Sequence, residues 1–389
     1  MSSENTSEGQ AQQPGGTRAR ELGIPLAGTP GAHNAITDVP GVEVGMVTLR
    51  PADRSAFTGV TAILPRGRDG VGTPCAAATF SLNGNGEMTG RTWIEESGQL
   101  NAPIALSNSH AVGPVHAGVD RWVHATHPEV SAAWMLPVVA ETWDGYLNNI
   151  NGEHVTAQHA VQALDAARPG PVAEGSVGGG TGMNCYGFKG GTGTSSRRVG
   201  IGEHSYTVGA LVQANFGDRE EFAVLGVPLG RRSAAPCPLE RSDWFAAETQ
   251  ALAHRSAPGA GSVIVVVATD APLLPQQLKG MARRVSLGLA RTGTTGGHFS
   301  GDIFLAFSTA NAGALRSVMP ATPGAATHDS LEFVAWGQMD PLYTATVQAV
   351  EEAVLNALTS NEDVVGRDGH ASYRLPLADV MNADFTHAL

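Results

Sequence analysis

Three kinds of residue are scarce in this chain, and each scarcity removes a class of protein. Only three cysteines occur in 389 residues, Cys75, Cys185 and Cys237. They are scattered, odd in number, and form neither a C-x-x-C pair nor a zinc-ligand spacing, which excludes a disulfide scaffold and a structural zinc site. His110 and His116 stand six apart, a spacing that suits no single helical metal face, so no metal and no cofactor is expected. Basic residues are few, 24 Lys and Arg against 36 Asp and Glu, for a formal charge of −12. A phosphate-rich partner needs a basic face, so neither nucleic acid nor an acidic membrane surface is expected. The surplus acid is compatible with solubility or with cationic, free-amine substrates. Long apolar runs are also missing. No stretch approaches the roughly 20 apolar residues of a membrane span, and MSSENTSEGQAQQPGGTRAR has no apolar core for a signal peptide. The expectation is a soluble cytoplasmic protein.

Glycine is abundant instead, 49 residues, with 23 prolines. Much of the glycine sits in tight clusters, as expected where backbone must approach backbone or ligand closely. Residues 1–20 read as a polar, flexible arm and 21–389 as one domain. Short β-like runs follow, Val42–Leu49, Val60–Leu64, Ala76–Leu82 and Ile104–Ser107, with helices over Ala111–Ala125 and Thr156–Ala167. Between the helices an apolar strand runs into the polar turn of MLPVVAETWDGYLNNINGEHV. A glycine-dense stretch, 174–196, precedes two expected strands, Thr207–Gln213 and Phe222–Leu229, and then an exposed connection over Arg231–Pro258.

The last third carries the clearest pattern. SVIVVVAT, Ser262–Thr269, is a continuous β-branched run, the pattern of a strand buried on both faces. Leu278, Met281, Ala282, Val285 and Leu289 form one stripe of a helix over Pro272–Leu289. Ile303–Phe307 reads as another buried strand, and Asp340-Pro341 as the cap and first residue of a long helix. Such strands and helices imply a layered α/β fold.

The bond Gly261–Ser262 joins a small-residue loop to this strand. Taken alone it is an ordinary boundary, but its chemistry is distinctive. A serine hydroxyl attacking the preceding carbonyl gives an ester that water can open. The new terminal amine, with a reference pKa of roughly 7.7–8.0, then serves as base for its own hydroxyl. Glycine upstream permits close attack.

The surrounding motifs give this junction its meaning. They are NAITDVPGVEVG (34–45), NGNGEMTG (83–90), AETWDGYLNNING (140–152), GGGTGM (178–183), YGFKGGTGTSSR (186–197), VQANFG (212–217), GSVIVVVATDAPLLPQQLKGMARR (261–284) and TGGHFSGDIFLAFSTAN (295–311). In order and spacing they resemble the P1 family, the L-aminopeptidase/D-amidase-esterases and β-peptidyl aminopeptidases. The resemblance implies a four-layer α/β/β/α sandwich like that of the N-terminal nucleophile hydrolases, with different connectivity. It also implies a precursor that cuts itself at Gly261–Ser262, and tetramers of two-chain units.

By the same resemblance Ser262 is the nucleophile and Asn215 the oxyanion-stabilising amide. Tyr146 is a second hydroxyl donor, and Ser300 and Asp302 stand beside the nucleophile. Glu141 binds the substrate's ammonium, Asp144 being an alternative for that role. Trp134 and Asn85 line the side-chain pocket, and His298 stands where asparagine is common. The implied substrates are short peptides, amino-acid amides or esters. An ornithine-acetyltransferase-like acyltransferase, which usually carries threonine at the new terminus, and an uncut, silent binding protein are the competing readings.

Overall fold

The computed structural model describes residues 16–133, 135–241, 244, 261–317, 324 and 327–386. Its strands, in chain order, are β1 (Glu43–Leu49), β2 (Thr58–Leu64), β3 (Cys75–Ser81), β4 (Gln99–Leu100), β5 (Ile104–Asn108), β6 (Val138–Thr142), β7 (Asn184–Cys185), β8 (Phe188–Lys189), β9 (Gly191–Ile201), β10 (His204–Asn215), β11 (Ser262–Thr269) and β12 (Gly301–Ser308), followed by a short C-terminal pair. A four-stranded sheet runs β1-β2-β5-β6 and a six-stranded sheet β4-β3-β12-β11-β10-β9. The smaller sheet is drawn from residues 43–142, whereas the larger joins β3 and β4 from within that span to β9–β12.

The sheets stack face to face. Ile63, Ile104, Leu106 and Val138 of one sheet pack against Leu211, Ile264, Val266 and Leu305 of the other. The opposite face of β11, Val263, Val265 and Val267, packs with Leu278, Met281 and Val285 of helix Pro275–Ala290 and Val350 and Val354 of helix Asp340–Thr359. The outer face of the smaller sheet, Val60, Ala62 and Val139, is covered by helices Val112–Thr126 and Ala157–Asp165. The order of layers is α/β/β/α, as expected. Each fully buried valine of β11 contributes about 1.5–3 kcal/mol of apolar transfer, which is why eight consecutive β-branched or small residues form a central strand. Among the described residues no helix is long and apolar enough to cross a membrane.

Several expectations are corrected. Phe222–Leu229 is not a strand. Leu225 (φ 48°) and Gly226 (φ 82°) form a tight turn closed by one bridge, Val224 to Val227, and a short helix follows at Leu229–Arg232. Conversely, the glycine-rich stretch contains most of β9, an 11-residue strand. A Cβ at Gly193 would overlap the Ala353 carbonyl, so glycine lets the long helix lie directly on the sheet. Helix Asp340–Thr359 is capped at Met339, with Asp340 already its first residue. Of the expected arm only residues 16–20 are described; there Arg18 Nε lies 2.7 Å from Glu174 and Ala19 is fully buried. The connection before Ser262 falls mostly outside the described residues.

Candidate active site

The site grows from strand register. In the antiparallel pair β10–β11, Asn215 stands opposite Ser262; in the parallel pair β11–β12, Ser262 stands beside Gly301. Period-two alternation puts Ser262 on the face of Ile264 and Asn215 on that of Leu211, so both side chains turn towards the layer between the sheets. Two residues 47 positions apart are thereby fixed side by side at the end of a buried strand.

Backbone crowds this end. A Cβ on Gly261 would overlap the Asn215 carbonyl oxygen, and one on Gly301 would overlap that of Asn85. Here glycine is demanded by close approach. The Gly261 carbonyl oxygen accepts two hydrogen bonds, from the Gly301 N–H at 3.2 Å and from the Ser262 hydroxyl at 2.7 Å. Ser262 is buried. The hydroxyl therefore already lies against the carbonyl that would receive it, and a backbone donor already points at the oxygen where negative charge would develop.

The Asn215 amide is held from both ends. Its Oδ1 accepts the Asn184 N–H and its Nδ2 donates to the Trp143 carbonyl, both at 2.9 Å. Ser300 donates a short hydrogen bond to Asp302 Oδ1, while Asn83 Nδ2 donates to Oδ2 at 2.9 Å. The Val263 N–H adds a third donor, yet burial dominates and pushes the Asp302 carboxyl above the usual range.

Glu141, the penultimate residue of β6, accepts the Glu87 N–H at 2.9 Å and a short hydrogen bond from Ser109. Burial raises its pKa as well. Its Oε1 lies 3.2 Å from where a Cβ of Gly86 would stand, and Gly86 in turn abuts Gly301. Glu141 thus borders the Ser262 end. Asp144 does not share its situation. It is completely enclosed, tied to Asn148 Nδ2 at 3.0 Å, and burial pushes its carboxyl up to about 7.

The Tyr146 hydroxyl donates to the Ala371 carbonyl at 3.1 Å and its ring stacks on His370, 4.8 Å between centroids, so its side chain packs against the C-terminal segment. Burial pushes that hydroxyl up to about 12, so it stays protonated. Asn85 sits on the rim, its Nδ2 donating to the Phe299 carbonyl at 2.7 Å. His298 is exposed beside Phe299. Trp134 lies outside the described residues.

Sequence reasoning missed the groups that orient these side chains: Asn83, Ser109, Asn184, and the backbone of Gly301, Glu87 and Trp143. Asn83 opens the quoted motif NGNGEMTG, a signal that was available. The backbone donors leave no trace in residue identity.

Comparison with known proteins agrees with this geometry. The profile of peptidase family S58 matches residues 34–372. The chain is 47% identical over 373 residues to the β-peptidyl aminopeptidase BapA of Sphingosinicella microcystinivorans, covering 94% of this chain and 91% of that one. A Burkholderia sp. β-aminopeptidase structure superposes with a TM-score of 0.81 at 44% identity, covering 94% and 98% of the two chains. The L-aminopeptidase D-Ala-esterase/amidase of Ochrobactrum anthropi, described as a prototype serine aminopeptidase and a variant of the Ntn hydrolase fold, gives 0.81 at 43%, covering 93% and 96%. With its family profile, its fold and its relatives in agreement, the chain belongs to peptidase family S58 and is a peptidase of the serine aminopeptidase type.

Proposed function

We propose that the chain processes itself at Gly261–Ser262 and then removes N-terminal residues from short peptides, amino-acid amides or esters. The observation that carries this reading is the Gly261 carbonyl, which meets both the Ser262 hydroxyl and the Gly301 N–H. In the first step Ser262 Oγ adds to the Gly261 carbonyl carbon, and the Gly301 N–H receives the developing oxyanion. The Gly261–Ser262 C–N bond breaks, the hydroxyl proton ends on the departing Ser262 nitrogen, and an ester remains. Water hydrolyses the ester, leaving a carboxylate on Gly261 and a free amine on Ser262.

In turnover that amine takes the proton from the Ser262 hydroxyl as it attacks a substrate carbonyl. Asn215 lends its second amide hydrogen to the oxyanion, and the leaving amine or alcohol receives the proton. Glu141 pairs with the substrate's ammonium, which supplies the charge its present neutral donors lack. Two of the relatives carry names that specify β-amino substrates, so β-amino residues are the first substrates to try.

Denaturing mass spectrometry of the purified chain tests the first half. Two fragments, 1–261 and 262–389, are expected, and Ser262→Ala should give one uncut, inactive chain, with turnover down on the order of 10⁴-fold or more. A wild-type chain that stays whole yet hydrolyses amino-acid amides would remove self-processing from the mechanism. A panel of α- and β-amino p-nitroanilides, with N-acetylated controls, tests the second half. Equal rates on acetylated and free-amine substrates would sink the aminopeptidase specificity assigned to Glu141.

A further inference from the structure

The motif YGFKGGTG contains a lysine that the chemistry above does not use. Lys189 is completely buried, at the end of β8, and burial drives its ammonium well below the usual lysine range. Its Nζ donates to two backbone carbonyls, Met183 and Gly190, each at 2.7 Å. These carbonyls bracket the hairpin β7–β8, in which Asn184 pairs with Lys189. Asn184 is the residue whose N–H holds Asn215 Oδ1.

The other end of the Asn215 amide is held by a backbone carbonyl next to a second buried charge-bearing group. Trp143, whose carbonyl accepts Asn215 Nδ2, is followed directly by Asp144. Asp144 organises its turn: its carbonyl accepts the Leu147 and Asn148 N–H groups at 3.1 and 3.0 Å, and its Oδ1 accepts Asn148 Nδ2. The two arms touch. A Cβ on Gly182 would lie 2.7 Å from Asp144 Cβ, one residue before the carbonyl that Lys189 binds.

We infer that Lys189 and Asp144 are positioning residues for Asn215, each fixing one of the two backbone groups that clamp its amide. An asparagine amide can flip, exchanging donor for acceptor at little steric cost. Held by one N–H donor and one carbonyl acceptor, it cannot flip without setting like against like at both ends. The clamp therefore keeps Nδ2, and not Oδ1, on the side of the nucleophile. Without it, part of the population would present a lone pair to a developing oxyanion. This inference rests on the assignment of Asn215 as oxyanion donor.

The test is a double-mutant cycle on the full chain with Lys189→Met and Asn215→Ala. Lys189→Met keeps the volume, and neither carbonyl is orphaned: Met183 O still has the Gly190 N–H at 2.9 Å, and Gly190 O has Asn361 Nδ2 at 3.0 Å. The expected single-mutant result is kcat of the processed enzyme lowered about 10-fold or more, with KM for a free-amine p-nitroanilide changed less than about 2-fold. In the Asn215→Ala background the same change should cost less than about 2-fold further. Should Lys189→Met fail to fold, judged by Tm, the cycle is repeated with Lys189→Gln, which keeps N–H donors of shorter reach and should show the same coupling. Independent, multiplying effects overturn the clamp, as does a Lys189→Met enzyme of full kcat. If Asn215→Ala itself turns over normally, the oxyanion assignment fails first, and the inference falls with it.

Discussion

Two sets of buried carboxylates in this molecule are treated differently. Near the N-terminal segment each has an arginine. Glu352, fully enclosed, takes Arg197 at 2.7 Å and Arg20 at 2.9 Å, and Glu174 takes Arg18 at 2.7 Å. Around Ser262 the carboxylates of Glu141 and Asp302 are just as sheltered, but their described partners are all neutral: hydroxyls, an amide and backbone N–H groups. Taking a carboxylate out of water costs several kcal/mol unless it is paired. In the first region the pairing is internal and the result is structural. In the second it is left open, and two ammonium groups belong to the proposed chemistry, the substrate's and the one that cleavage creates on Ser262.

The comparison breaks most completely at the bond itself. Gly261→Ala should slow self-cleavage at least about 100-fold, since a displacement near 1 Å at the reacting carbonyl has effects of that size. The added methyl would overlap the Asn215 carbonyl, pushing Gly261 away from the Gly301 N–H. Time-resolved gel electrophoresis of freshly expressed protein measures this. Normal processing by the variant would show that the crowding at Gly261 has no catalytic meaning.

Next in size is the exchange of charge between the regions. Glu141→Gln removes the open carboxylate and should lower kcat/KM for free-amine substrates on the order of 10²-fold, with little change in Tm. Glu352→Gln is the counterpart. It strands the buried guanidinium of Arg197, should lower stability by about 3 kcal/mol, and should leave kcat/KM of the surviving folded enzyme unchanged. If Glu352→Gln also damaged kcat/KM at temperatures well below its Tm, the division into structural and functional carboxylates would be lost. Asp302→Asn should act more mildly, slowing cleavage about 10-fold or more, because its new amide nitrogen would face one of the two donors, Ser300 or Asn83, in place of an acceptor.

How much of this was legible in the residues follows from what each kind of signal encodes. SVIVVVAT announces a central strand, because continuous β-branched residues suit burial on both faces. The strand β9 was hidden, since its glycines read as loop while their purpose is contact with the helix at Ala353. Ser262, Asn215, Ser300 and Asp302 came from motifs, and the fold brings them to one strand end through register, a long-range property that local spacing does not carry. Glu141 and Asp144 lie three residues apart at the same strand end, and only the packing of Phe57, Gly182 and Asn148 around Asp144 distinguishes the fully enclosed carboxyl from the one that borders the Ser262 end. The partners of Tyr146 were equally hidden, because His370 and Ala371, which meet its ring and hydroxyl, are over 200 positions away.

The smallest expected effect sharpens the contrast through pH. Burial pushes both Asp144 and Glu174 up to about 7, although Arg18 opposes the shift at Glu174. A carboxyl with a raised folded-state pKa favours the native state fully below its unfolded value. That contribution is lost as pH rises towards the folded value, here between roughly pH 4 and pH 7. Asp144→Asn abolishes this loss at one site. Relative to a Ser262→Ala parent, chosen so that processing does not intervene, its Tm should gain on the order of a few degrees at about pH 8 and lose that advantage by about pH 4. Glu174→Gln should gain less or even lose at about pH 8, because it removes the partner of Arg18 together with the penalty. Equal pH profiles for the two variants would mean that the arginine makes no difference, and that the two regions handle buried charge alike after all.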